Sequence, residues 1–179
     1  MRVHVIVAEA DPLTCEGLAE SLCEEPRLSA YPCNDSPLAA LDRARDYDPC
    51  VVLVSEAFLE RIDVPRFMAK ADYGRGVPVL ALGPPAEPER VIRCLLLGCM
   101  GYVSRRDSLA TLKRAVFAVA GGEIWARRAD LTLLVRRLLH HRDRGPKLTA
   151  REREILALIH AGCPNAEISR QLFISPETV

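Results

Sequence analysis

Four short segments stand at the ends of apolar runs: Glu9-Ala10-Asp11, Ser55-Glu56, Gly83-Pro84-Pro85 and Ser104-Arg105-Arg106. In parallel sheets covered by helices, ligands and chemistry sit outside the carboxyl ends of the strands, so these clusters are where chemistry would be found. Serine catalysis at Ser55 would need a histidine base or a Gly-x-Ser-x-Gly elbow. Neither accompanies it, and no glycine-rich phosphate loop follows the first run, so the chain is not expected to be an enzyme. The seven cysteines (15, 23, 33, 50, 94, 99 and 163) are odd in number, with no C-x-x-C pair and no histidine at zinc spacing. They read as reduced thiols packed as small hydrophobes, with Cys94 and Cys99 the pair that a redox role would use. His140 and His141 are adjacent, so on a helix they point to different faces and cannot make an i, i+4 metal pair. No metal or cofactor is expected.

The elements that would position these clusters can be read from the same rows. With 49% hydrophobic and 27% charged residues, the 179-residue chain is expected to fold as a soluble globular protein, which excludes disorder and collagen-like repeats. No apolar run approaches a membrane span, and Glu9 interrupts the first run before it could serve as a signal-peptide core, so a cytoplasmic protein is expected. Strands are expected at 3–8, 28–32, 50–54, 77–82 and 100–104, each followed by helical apolar spacing. Asp11-Pro12 and Ser36-Pro37 put a capping side chain before a proline at the first helical position, and Asp107 or Ser108 precedes the Leu109, Leu112, Val116 stripe. Gly98 and Gly121-Gly122 suit left-handed helix ends. Runs such as CVVLV are apolar on both faces, as central parallel strands are. The fold class is therefore α/β: five βα units in a parallel, doubly wound, flavodoxin-like sheet.

Read together, the strand ends and the wording VIVAEADPLTCEGL, DPCVVLVS and LGCMGYVSRRDS resemble the receiver domain of bacterial response regulators, NarL/FixJ subfamily, over about residues 1–124. The resemblance implies a site with two adjacent acids holding Mg²⁺, a phosphoryl-accepting Asp, a Thr or Ser, and a Lys. At those positions this chain has Glu9-Ala10, Ser55, Gly83 and Arg105. Mg²⁺ seeks near-octahedral oxygen ligation, and a serine cannot form an acylphosphate. Glu9, Ala10, Asp11, Ser55, Gly83 and Arg105 thus read as a degenerate phosphorylation site, a pseudo-receiver, in which Arg105 could pair with Glu9. Glu56 or Asp11 as a displaced acceptor stays open. The resemblance also implies dimerisation through 89–97, 100–104 and 109–119, with Leu95, Leu96, Leu97, Tyr102 and Leu112 as interface candidates. Three successive leucines cannot all face inward on one helix, so at least one should be exposed, at an interface or as a stray surface residue.

The charge is unevenly spread: residues 1–126 carry 14 Lys/Arg against 18 Asp/Glu, and residues 127–179 carry 10 against 6. A basic tail on an acidic body fits nucleic-acid binding, although a solvated basic face has the same charge. Residues 125–146 read as a linker with a leucine-striped helix. From Leu148 the sequence LTAREREILALIHAGCPNAEISRQLFISPETV has a Thr149–Glu152 capping box, a stop at Gly162, and new starts at Pro164-Asn165 and Ser175-Pro176. It resembles the LuxR/GerE-type helix-turn-helix over residues 147–179, departing from it at Ala166 and Ser169. The resemblance implies DNA contacts from Arg151, Arg153, Asn165, Arg170, Ser175, Thr178 and Val179. The chain stops one turn into the expected recognition helix, so an incomplete helix-turn-helix is expected. The leading expectation is a DNA-binding transcriptional regulator, homodimeric and independent of aspartyl phosphorylation. The alternative is an interaction module that binds a partner protein or small ligand without DNA.

Overall fold

The computed structural model describes residues 2–60, 62–71 and 76–143. Five strands, β1 (Val3–Ala8), β2 (Leu28–Cys33), β3 (Cys50–Ser55), β4 (Val79–Gly83) and β5 (Gly101–Ser104), form one parallel sheet in the order β2-β1-β3-β4-β5. The helices are α1 (Pro12–Cys23), α2 (Pro37–Ala44), α3 (Glu56–Leu59), α4 (Val64–Lys70), α5 (Pro88–Leu96), α6 (Leu109–Ala120) and α7 (Arg128–Asp143). The α/β, doubly wound architecture expected from the strand runs is thus the observed one. By contact density the chain divides into two compact units, residues 1–135 and 136–179.

The helix starts follow from local chemistry. Asp11 accepts the Thr14 N–H, Ser36 the Ala39 N–H and Ser108 the Thr111 N–H, each satisfying a donor that the first helical turn leaves free. Ser108, not Asp107, is the cap of α6; Asp107 instead accepts the Ser104 N–H in the turn before it. One helix was expected after β3, but there are two. Asp63 accepts the Arg66 N–H and, with Pro65 at the start, founds α4 separately from the single turn of α3.

Strand alternation sorts the core into two layers. Ile6, Val52, Val54, Val79, Ala81 and Tyr102 face α2, α4 and α5, where Leu41, Phe67, Ile92 and Leu95 are buried. Val5, Val7, Val51, Leu53, Leu80 and Val103 face α1 and α6, against Leu22, Leu112 and Val116. Each fully buried aliphatic side chain is worth ~1.5–3 kcal/mol of burial, so the sheet is pinned from both sides and its carboxyl ends are fixed in register. Among the described residues, no helix is long and apolar enough to cross a membrane.

Candidate functional site

Two charged assemblies occupy the carboxyl end of the sheet. The first joins β1 to the β5–α6 turn. Glu9, 6% exposed, accepts the Ala10 N–H at 2.8 Å through Oε1 and pairs through Oε2 with the Arg105 guanidinium. Arg105 is itself held by its main chain, whose N–H donates to Gly83 O at 2.7 Å. Asp11 is exposed and spent on the α1 cap, and hydrogen bonding to the Thr14 side chain and then to its main-chain N–H lowers its carboxyl from the ordinary value. Ser55, 2% exposed at the end of β3, keeps a buried hydroxyl with no hydrogen-bond partner among the described residues. A serine hydroxyl without a base is not an activated nucleophile.

The second assembly centres on Glu56, the first residue of α3, whose carboxylate is only 3% exposed. Arg90 Nη1 lies 2.9 Å from both of its oxygens, and Arg93 Nη2 donates to Oε1. The Tyr102 hydroxyl reaches Oε2 at 3.2 Å and Pro84 O at 2.8 Å. Arg90 and Arg93 sit three apart on α5, one helical turn that turns both guanidiniums to the same carboxylate. A carboxylate buried this deeply needs such partners, since an unpaired charge there would cost several kcal/mol. The cluster marks its neighbours: burial and the Glu56 charge push the Tyr102 hydroxyl up, and the bond to Glu56 raises Arg90.

Gly83 belongs to this assembly through what it lacks. A Cβ built on it would lie 2.6 Å from Glu56 Oε2 and 3.1 Å from Glu56 Cβ, and closer still to the Tyr102 hydroxyl. The residue types at 56, 83 and 102 are therefore mutually dependent: carboxylate and phenol fill the space that a side chain at 83 would take.

The sequence reading missed Arg90 and Arg93, and it assigned Tyr102 to a surface. The available signal was Glu56, a carboxylate placed where a buried strand ends, with two arginines at helical spacing opposite it. Leu95, Tyr102 and Leu112 do not lie where the sequence places them; all three are core residues. Leu95 packs under α5, Tyr102 is drawn in by Glu56, and Leu112 closes the α6 layer. Leu96 is 50% exposed and Leu97 half-buried. Cys94 and Cys99 are buried, and burial pushes the Cys94 thiol up to about 12 and Cys99 well up, the opposite of a reactive sensor thiol. The side chains of His140 and His141, and residues Arg151, Arg153, Asn165, Arg170, Ser175, Thr178 and Val179, lie outside the described residues.

Residues 146–179 match the family described as bacterial regulatory proteins, luxR family. Along 99% of its length the chain is 27% identical to the probable transcriptional regulatory protein NarL of Mycobacterium tuberculosis H37Rv, covering 83% of that protein. It is 25% identical to the nitrate/nitrite response regulator protein NarL of Escherichia coli K12, over 98% of this chain and 83% of that one. The fold is similar to that of RcsB from Salmonella enterica serovar Typhimurium, solved bound to a promoter, at TM-score 0.57 and 18% identity, over 99% of this chain and 86% of that one. With its receiver-type sheet, its luxR-family segment at residues 146–179 and NarL relatives along nearly its whole length, the chain is similar to NarL-type response regulators.

Proposed function

We propose that this chain is a cytoplasmic DNA-binding transcriptional regulator whose receiver-type unit is set by its own ion pairs and not by aspartyl phosphorylation. Residues 1–124 are the pseudo-receiver, 125–146 the linker with its helix, and 147–179 the luxR-type segment. The observation that carries the reading is the end of β3, where Ser55 offers a buried hydroxyl, unpartnered among the described residues, in place of a carboxylate. The neighbouring donors do not fit a divalent cation either. Mg²⁺ is usually held by carboxylates together with water, whereas Glu9 is engaged by Arg105, Ala10 has no side-chain oxygen, and Asp11 caps α1. No step through a metal is derived.

In this reading Arg151, Arg153 and Arg170 neutralise phosphates, and Asn165, Ser175, Thr178 and Val179 lie at the DNA surface. Arg151 and Arg153 are two apart and do not share a helix face, so one of them carries most of the effect. The protein acts as a homodimer on paired half-sites, with the exposed Leu96 available for contact between copies. The luxR-family match disfavours an interaction module without DNA.

The test has two arms. Intact mass after incubation with acetyl phosphate and Mg²⁺ should be unchanged, and gain of one acid-labile phosphoryl group refutes independence from phosphorylation. Titration against promoter and scrambled duplexes at two salt concentrations should show binding that weakens steeply with salt, by a slope of about −0.9 per phosphate neutralised. Binding unaffected by Arg151→Gln, Arg153→Gln and Arg170→Gln together would remove the DNA assignment.

A further inference from the structure

We propose that Tyr102 is the joint of a lock through which the buried carboxylate of Glu56 holds the segment 124–127 on the sheet, and with it the first turn of α7. The proposal stands on the residue 1–135 unit alone and does not need the proposed DNA function.

β5 is an edge strand, and an edge presents unpaired N–H and C=O groups that something must satisfy. Here residues around Trp125 do so. Trp125 N–H donates to Met100 O at 2.9 Å, and Tyr102 N–H donates to Trp125 O at 3.0 Å, forming a parallel bridge opposite Gly101. The approach is close enough that a Cβ on Gly101 would fall 2.7 Å from both the Trp125 Cβ and its carbonyl oxygen. The Arg114 guanidinium of α6 lies over the indole, 5.6 Å from its centroid.

Tyr102 therefore works at two ends. Its main chain carries the Trp125 segment, while its one hydroxyl proton is shared between two acceptors, Pro84 O at 2.8 Å and Glu56 Oε2 at 3.2 Å. A second route reaches the same place. Arg127 forks onto Asp130 at 2.7 and 3.1 Å and donates to Ala86 O at 2.8 Å. Ala86 lies two residues from Pro84, in the loop that the Tyr102 hydroxyl holds from the other side. Asp130, 2% exposed, stands in the first turn of α7, so its pairing with Arg127 ties that turn to the loop. Glu56, Tyr102, the 84–86 loop, Arg127 and Asp130 form one connected path, hydrogen-bonded at each step outside the loop itself, and Trp125 hangs from Tyr102. Releasing the hydroxyl from Glu56 loosens both attachments of the segment together.

The chain has a single tryptophan, placed on the segment itself. The experiment compares the full chain with Glu56→Gln and Tyr102→Phe, reading residue-level amide exchange by NMR together with acrylamide quenching of Trp125. Both variants should speed exchange at the Tyr102 and Trp125 amides tenfold or more and raise quenching, while the Val5 and Val51 amides in the central strands stay within twofold of the parent. Tyr102→Phe keeps the ring and removes only the hydroxyl, so it decides the matter if Glu56→Gln fails to fold. Unchanged exchange at Tyr102 and Trp125 overturns the lock. So does a uniform increase that includes Val5 and Val51, because that is general destabilisation and not a local path.

Discussion

Gly83→Ala adds one methyl group at the carboxyl end of β4, where the new carbon would meet Glu56 Oε2 at 2.6 Å and the Tyr102 hydroxyl more closely. Neither neighbour is a flexible chain end free to swing away. The carboxylate is gripped by Arg90 and Arg93, and the hydroxyl by Glu56 and Pro84 O. Making room costs ~1–3 kcal/mol of overpacking, and weakening the Tyr102 bond to a charged partner adds ~1.5–3 kcal/mol. Against this, replacing glycine restricts the unfolded chain and returns ~0.4–1 kcal/mol. The net loss is ~1.5–5.5 kcal/mol, which at a urea dependence of ~2 kcal/mol per M lowers the midpoint by ~1–3 M. Trp125 emission is the assay, since that residue lies in the same compact unit. Gly17→Ala is the control: the site is exposed in mid α1, with nothing within 4 Å of an added Cβ, and should gain ~0.5–1 kcal/mol. In a Tyr102→Phe background the closest obstacle is gone, so Gly83→Ala should cost at least ~1 kcal/mol less there than in the parent. A Gly83→Ala variant within ~0.5 kcal/mol of the parent, or strict additivity with Tyr102→Phe, would refute the claim that these three positions depend on one another.

Other perturbations follow from the same contacts. Ser55→Asp places a carboxylate at a buried site with no hydrogen-bond partner among the described residues, so it should cost ~1–3 kcal/mol at pH 8. Burial raises such a group's folded pKa above its unfolded ~3.9, so the loss should shrink as pH falls toward 4; a pH-independent urea midpoint difference would contradict this. Arg105→Ala strands Glu9 beside only main-chain donors and should cost ~1–2 kcal/mol, discounted from a fully buried pair because Arg105 is 40% exposed. Thiol labelling of the native chain followed by peptide mapping should find Cys23 modified first among the six described cysteines, with Cys15, Cys33, Cys50, Cys94 and Cys99 protected; early labelling of Cys94 would refute the assignment of that thiol as inert.

Where the sequence was legible, the signal was local. β1 at Val3–Ala8 and the caps at Asp11, Ser36 and Ser108 depend on residues within four positions of one another, and on alternation that a buried parallel strand exaggerates. The strand ends were legible for the same reason, since a polar residue closing an apolar run announces where the sheet stops. The two helices after β3 were not, because the break depends on Asp63 capping Arg66 inside a stretch whose apolar spacing reads as continuous. The Glu56 assembly was least visible. Its partners are 34, 37 and 46 residues away, and Arg90 and Arg93 on an amphipathic helix look like a solvated face until the fold brings the Glu56 carboxylate within their reach.

These contacts also bear on how residue types at the strand ends can vary while the architecture is kept. The ladder from β1 to β5 is held mainly by aliphatic residues below the strand ends, so Ala10 and Ser55 can stand where the receiver resemblance implies other types while both core layers are kept. What the strand ends hold instead is fixed charge, Glu9 with Arg105 and Glu56 with Arg90 and Arg93. In the second group the residue types constrain one another. A hydroxyl-bearing side chain at 83 cannot coexist with Tyr102 turned toward Glu56, and Glu56 cannot stay buried without the two arginines. A side chain placed at 83 therefore disturbs Glu56 and Tyr102 before it supplies any chemistry.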